Sequence, residues 1–230
     1  MQIKRIAILF SGNGSNLEAL IVALHNKYFI KAESYVKNAD SAADFLISTN
    51  LSEFKEITQK EARGVQNAFK VEVVLALSNK ADAYGLQRAE KLGVETKILL
   101  SKGKERECFD KELVGILKEQ NLDLCVLAGF MRILTPIFTQ NIKAINIHPS
   151  LLPLFKGAHG LVDSYNSSMC FGGVSVHFVS DELDSGEIIA QGILCKNPKE
   201  KLESYEKRVH KLEHILYPKA VLSVLASKSF

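Results

Sequence analysis

The sequence predicts an α/β fold, an open, mostly parallel twisted sheet with helices on both faces. Three observations carry this prediction. Short apolar runs alternate with segments whose apolar residues recur at helical spacing, which is the pattern of consecutive strand-helix units. A glycine-containing turn joins the first run to the first helical segment. The run from Leu122 to Ala128 is apolar but for Asp123, as in a strand covered on both faces.

Each element follows in order. Ile3 to Phe10 reads as a buried strand, and Ser11 to Asn16 as a turn. Leu17, Leu20, Ile21 and Leu24 then mark one face of a helix. Val71 to Leu77 is a second strand, followed by Ser78-Asn79-Lys80 and a helix to about Leu92, which Gly93 stops. Glu95 to Leu100 is a third strand. Phe109, Leu113, Ile116 and Leu117 mark the next helix, and Leu122 to Ala128 is the fourth strand. Ala144 and Ile145 lead into Asn146 and His148 at another strand end. Residues 154–172 read as a loop. Val174 to Val179 and Ile188 to Leu194 read as strands joined by a hairpin or bent connection around Asp184-Ser185-Gly186. Leu202, Tyr205, Val209, Leu212, Leu216 and Ala220 form a helical stripe that Pro218 should kink or end.

One segment resists the pattern. Residues 29–70 separate the first helix from the second strand by far more than a short loop. Ala42, Ala43, Phe45, Leu46 and Ile47, then Phe54, Ile57, Val65 and Phe69, make it too apolar for a disordered linker. It reads as an inserted subdomain with a short helix. The chain shows no internal repeat and no low-complexity tract.

Composition narrows the function classes. The 230 residues fit one large domain or two small ones, and 47% hydrophobic content suffices for a sizeable core. A net charge of +3 makes no electrostatic case for nucleic acid, while a pI near 8.6 suits a small anion. Cys108, Cys125, Cys170 and Cys195 form no CxxC, which points to reduced cytosolic thiols rather than a disulfide framework or zinc site. The run Ile6 to Phe10 is too short for a signal peptide, and no stretch approaches a membrane span.

Four constellations could carry chemistry. Asn146 and His148 lie two apart in an extended segment, so they share a face and can aim at one reacting atom. An amide donates to a developing oxyanion, and an imidazole moves a proton near neutral pH. Pro149 and Pro153 stiffen the exit from this strand. The acidic turn 181–186 follows His177, and by spacing alone Asp181, Glu182 and Asp184 are equal candidates to orient His148. His177 itself reads as a core or hydrogen-bonded histidine. Gly12-Asn13-Gly14-Ser15-Asn16, at a strand-to-helix junction, suits a single phosphate. A dinucleotide is disfavoured, because Leu17 replaces the third glycine and no acidic residue follows the second strand. Residues 128–134, at the end of the fourth strand, form an apolar lip for a flat aromatic ligand. The lysines of 196–211 alternate with glutamates and read as a solvated helix face.

The blocks 10–16, 78–86, 127–134, 145–153 (Ile-Asn-Ile-His-Pro-Ser-Leu-Leu-Pro) and 175–184 resemble the phosphoribosylglycinamide formyltransferases, a folate-dependent formyltransferase family. They stand in that family's order and leave out roughly 29–70. The resemblance implies a Rossmann-like formyltransferase fold over 1–230, with a phosphate-binding half at about 1–128 and a catalytic, folate-binding half at about 129–230. It implies 10-formyltetrahydrofolate as co-substrate, no metal, and glycinamide ribonucleotide as acceptor, for a cytoplasmic monomer or homodimer of purine synthesis. By motif, Asn146, His148 and Asp184 would be the catalytic trio. Gly14, Ser15 and Asn16 would hold the substrate phosphate, and Glu213 matches an acidic residue near the glycinamide end. Met131, Arg132, Ile133 and Leu134, with Asn146, Asp181 and Asp184, would line the folate pocket. Arg106 matches an arginine near the folate tail. This chain departs from the family's usual residues at 155–160, at Val174, where Thr is common, and at His210, where Gln is common. The alternatives are a formyltetrahydrofolate deformylase and a non-catalytic nucleotide-binding module.

Overall fold

The structure is a computed structural model and describes residues 1–32, 45–48 and 51–227. It begins with β1 (Gln2–Phe10), whose last five residues are fully buried. The chain continues through α1 (Ser15–Leu24), β2 (Lys27–Lys31), β3 (Phe45–Ser48), β4 (Phe54–Ile57) and α2 (Gln59–Ala62). Next come β5 (Phe69–Ser78), α3 (Gly85–Lys91), β6 (Thr96–Ile98), α4 (Arg106–Glu119) and β7 (Leu124–Leu127). Then follow α5 (Pro136–Thr139), β8 (Ala144–His148) and α6 (Gly160–Asn166). The antiparallel pair β9 (Phe171–Phe178) and β10 (Ile188–Cys195) leads into the long helix α7 (Leu202–Ala226).

The strands form one ten-stranded sheet in the order β3-β10-β9-β8-β7-β1-β5-β2-β4, with β6 also paired to β5. Strands β6, β5, β1, β7 and β8 are parallel. This is the sheet expected from strand-helix alternation. The remaining strands join it antiparallel at both edges.

Side-chain alternation places the two cores. Along β1, Ile6, Ile8 and Phe10 face one cluster with α1, α3 and α7, while Ala7 and Leu9 face a second with α4 and α5. Strand β5 changes phase partway: Val71 and Val73 face the first cluster, but Leu75 and Leu77 face the second. A bulge explains this. Ile6 pairs with Val73 and Ala7 with Leu75, so Val74 is an extra residue that flips every side chain after it.

Three parts of the chain differ from the sequence reading. The described parts of 29–70 are strands of the main sheet, with one short helix. Strand β2 pairs with β5 and β4 with β2, whereas β3 joins the opposite edge beside β10. Ala42 and Ala43 lie outside the described residues. Phe29 and Phe54 pack on Phe69, at ring separations of 6.2 and 6.0 Å, which explains the apolar content at that edge. The stretch 154–172 contains α6, held where Leu161 and Tyr165 pack on the first core.

Pro218 does not end α7, which runs on to Ala226. An interior proline costs about 3 kcal/mol. Val221, Leu222, Val224 and Leu225 are all buried beyond it. At about 1.5–3 kcal/mol each, their burial exceeds that cost. Among the described residues no helix is long and apolar enough to cross a membrane.

Candidate active site

The parallel strands β1, β5, β7 and β8 end at Phe10, Ser78, Leu127 and His148, and the residues singled out in the sequence gather at these carboxyl ends. Ile145 and Ile147 of β8 point into the first core, so Asn146 and His148 share the other face. The antiparallel register sets His177 of β9 directly opposite Asn146. Asp184, in the turn between β9 and β10, completes the cluster. Its Oδ2 lies 3.4 Å from His148 Nδ1 and its Oδ1 3.6 Å from His177 Nε2. The Gly157 amide donates to Asp184 Oδ2 at 2.8 Å. His148, His177 and Asp184 are all buried.

The hydrogen-bond partners fix the roles of the ring and amide atoms. His177 Nδ1 is 2.9 Å from the Phe178 carbonyl, which can only accept, so Nδ1 carries the hydrogen. Burial holds the His177 pKa below its ordinary value, against the opposing pull of the Phe178 carbonyl and Asp184. The neutral ring therefore presents Nε2 as an acceptor, and Asn146 Nδ2 donates to it at 3.2 Å. One hydrogen of the Asn146 amide is thus engaged and the other is left for a ligand. His148 Nε2 donates to the Phe155 carbonyl at 2.8 Å, leaving Nδ1 on the Asp184 side.

The spacing left Asp181, Glu182 and Asp184 equal, and the structure separates them. Asp184 adopts a left-handed conformation (φ 50°) that turns its carboxylate inward. Asp181 is exposed and accepts from Thr139 Oγ1, and Glu182 is also exposed. Sequence spacing alone does not bring His177, Phe155, Gly157 and Gly160 to this cluster. The signal lay in the two glycines. Gly157 has φ 87°, and a Cβ on Gly160 would fall 2.5 Å from His148 Nε2.

The second group lies at the start of α1. Gly14 is the N-cap, in the left-handed region (φ 78°, ψ 28°), and no side chain caps the helix. Its first-turn N–H groups therefore remain able to bind an anion. Arg88 of α3, which no sequence motif marks, also reaches this loop. Its Nε and Nη2 donate at 3.0 Å to the Asn13 carbonyl and Asn13 Oδ1, and Nη1 pairs with Glu18. That pairing neutralises the one carboxylate in the first turn of α1. Asn16 Nδ2 donates to Glu213 Oε2 at 2.9 Å, which brings Glu213 of α7 to this loop. Asn16 Oδ1 is buried and has no partner among the described residues. His210 Nδ1 lies 2.7 Å from the same Glu213 oxygen. That hydrogen bond raises the His210 pKa, with burial opposing it.

The third group is the lip after β7. Met131 and Ile133 are exposed apolar side chains, 68% and 44% accessible. Leu134 is buried in the second core, so its side chain supports the lip from beneath. The Arg132 guanidinium lies over the Phe109 ring at 4.2 Å. Arg106 is exposed, three residues before Phe109 on α4, and so on the same helix face. Asp110, fully buried, accepts from Thr135 N at 2.6 Å and from Thr135 Oγ1 at 2.8 Å, which anchors the far end of the lip.

Comparison with known proteins gives a consistent picture. The family model described as Formyl transferase matches residues 42–221. The phosphoribosylglycinamide formyltransferase of Escherichia coli (strain K12) is 34% identical over 216 residues, which are 93% of this chain and 83% of that protein. A crystal structure of phosphoribosylglycinamide formyltransferase from Campylobacter jejuni superposes with a TM-score of 0.78 at 44% identity, covering 97% of this chain and 98% of that one. The Trifunctional purine biosynthetic protein adenosine-3 of Chironomus tentans is 37% identical over 95% of this chain, which spans only 13% of that relative's length.

Proposed function

The chain belongs to the formyl transferase family, and from that premise we propose that it transfers a formyl group from 10-formyltetrahydrofolate to the amine of glycinamide ribonucleotide. The observation that carries this reading is the cluster of half-buried Asn146 with buried His148 and Asp184, together with an uncapped helix N-terminus and an apolar lip. The helix N-terminus suits the ribonucleotide phosphate, with Gly14, Ser15 and Asn16 as its ligands. The buried Asn16 Oδ1 and Glu213 are acceptors for the hydroxyl and amine groups of the same substrate. The lip at 131–134 takes the flat pteridine, Asp181 and Asp184 close the same pocket, and Arg106 faces the acidic end of the folate.

The neutral amine attacks the formyl carbon, forming a C–N bond and placing negative charge on the formyl oxygen. The free hydrogen of the Asn146 amide donates to that oxygen. Collapse of the intermediate breaks the bond to the folate nitrogen, which takes a proton as the attacking amine loses one. With Nε2 engaged by Phe155, His148 moves this proton at Nδ1, beside Asp184. Residues 1–128 thus supply the phosphate end and 129–230 most of the catalytic and folate end of one unit. It works on two small molecules in the cytoplasm, as a monomer or homodimer, without metal.

The test is formyl transfer from 10-formyltetrahydrofolate with glycinamide ribonucleotide present or omitted. Tetrahydrofolate that forms only with the ribonucleotide, and not with His148→Ala, supports the reading. Tetrahydrofolate formed without any acceptor indicates a deformylase instead. A folded chain that binds ribonucleotide but forms no product in either case indicates a binding module.

A further inference from the structure

Ser11 is the first residue beyond β1, and its backbone N–H and its hydroxyl both tie the segment after β1 to the loop after β7. The pairing of β1 with β7 covers Ile6 to Leu9, and the pairing with β5 ends at Phe10 and Ser78. Ser11 is 3% exposed. Its backbone N–H donates to the Gly129 carbonyl at 3.0 Å, and its Oγ accepts from the Met131 N–H at 2.8 Å. An amide N–H can only donate, so the Ser11 hydroxyl hydrogen goes to Asn79 Oδ1, at 2.6 Å. Asn79 is buried as well, and its Nδ2 donates to Ser101 Oγ at 3.0 Å. The chain is directional: Met131 amide to Ser11 hydroxyl to Asn79, with Asn79 held in turn by Ser101.

Its position gives the chain a meaning. Gly12 to Asn16 follow Ser11 directly and form the anion loop. The Gly12 carbonyl accepts from Gly85 N at 3.1 Å, which ties that loop to α3. Gly129 to Leu134 form the lip. The loop and the lip therefore meet on one buried hydroxyl, which both accepts and donates in a place closed to water. Alanine or valine would keep the sheet but could not satisfy the Met131 amide and Asn79 together.

We propose that Ser11 is a positioning residue that fixes the separation of the ribonucleotide loop and the folate lip, so that the amine and the formyl carbon meet at attack distance. This rests on the function proposed above. Two bound reactants must approach to about 3–3.5 Å in the right orientation, and a misplacement of about 1 Å costs about a hundredfold in rate. A residue that sets only the distance between subsites affects turnover and leaves each ligand's own contacts in place.

The test compares the full-length parent with Ser11→Ala. Calorimetric titration with glycinamide ribonucleotide and, separately, with tetrahydrofolate gives each Kd and the binding-competent fraction. Steady-state rates are then expressed per competent site. The expected result is a kcat about 10- to 100-fold below the parent, with both Kd values within about fivefold. A kcat loss under about tenfold, or a loss expressed wholly in the Kd or KM of one substrate, overturns the proposal. Should Ser11→Ala not fold, Ser101→Ala removes the half-buried end of the same chain. There a kcat loss above about threefold at unchanged Kd is expected, and no loss overturns the proposal. A parent without formyl transfer to the ribonucleotide would instead sink the function reading. An active parent with an equally active Ser11→Ala sinks only the positioning role.

Discussion

Asn146→Ala is the sharpest probe of the proposed reaction, because the structure engages one of the two amide hydrogens and leaves the other for a ligand. One amide hydrogen serves His177 Nε2 at 3.2 Å, and the other is the proposed oxyanion donor. Removing an oxyanion donor costs roughly 2.7–4 kcal/mol of barrier, or about 10²–10³ in kcat. The stability cost is smaller. It consists of one lost hydrogen bond and a buried His177 Nε2 left without a donor, together about 1–3 kcal/mol. Typical domain stabilities are about 5–15 kcal/mol, so the variant should fold. The assay is kcat for ribonucleotide-dependent tetrahydrofolate release, set beside a thermal melt of the same sample. A second variant removes the ambiguity of a cavity. Asn146→Asp keeps the side-chain shape but replaces the donor with an acceptor, and should lose at least as much rate. A folded Asn146→Ala within tenfold of the parent, or an Asn146→Asp with parent-like turnover, would refute the donor role.

Three further outcomes follow from the geometry. Gly14→Ala places a Cβ 2.6 Å from Gly85 Cα at φ 78°, so the loop must part from α3. The Kd for the ribonucleotide should rise about tenfold or more while that for tetrahydrofolate holds, and equal effects on both would contradict the phosphate assignment. Gly160→Ala directs a Cβ to 2.5 Å from His148 Nε2 and 2.6 Å from the Phe155 carbonyl. A kcat loss of about a hundredfold with a modest drop in Tm is expected, and an unchanged kcat would show that His148 needs no fixed orientation. The raised pKa of His210 makes a pH prediction. A raised folded-state value means that its contribution to stability is fully present below the ordinary 6.5 and is lost as pH rises through the folded value. The groups facing it are Glu213 and Glu206, with His214 one turn along, held below its ordinary value mainly by burial. His210→Gln should therefore flatten the decline in Tm as pH rises above about 6.5, and an unchanged slope would place that titration elsewhere.

Much of the central fold was legible because its signals are local. Alternation along β1, the stripe of α1 and the apolar run of β7 each follow from burying one or two faces, and neighbouring residues suffice to show it. What could not be read depends on partners distant in sequence. Nothing in Phe45–Ser48 indicates that β3 adds to β10, whose residues lie some 140 positions later. The persistence of α7 through Pro218 depends on the burial of Val221 to Leu225, which outweighs a local rule. The choice among Asp181, Glu182 and Asp184 depends on a backbone turn, because only at Asp184 does φ of 50° direct the carboxylate inward.

The switch from parallel to antiparallel pairing explains why the proposed catalytic residues stand where they do. Strand β8 pairs with β7 in parallel and with β9 antiparallel. The parallel side brings Asn146 and His148 to the common carboxyl edge, beside the loops that follow β1 and β7. The chain crosses over through residues 149–170, which include α6, and β9 then runs antiparallel beside β8, which sets His177 opposite Asn146. Strand β9 ends beside Ala144 and Ile145, at the amino end of β8, and the turn after it folds back to bring Asp184 within 3.4 Å of His148 Nδ1. Strand register is strict here. A slip of one residue between β8 and β9 would put Val176 opposite Asn146 and turn His177 to the other face. Val174 and Val176 are fully buried in the first core, and that burial opposes the slip. The apolar residues of β9 thus hold in place the Asn146 amide geometry, and this links the packing of the sheet to the proposed chemistry.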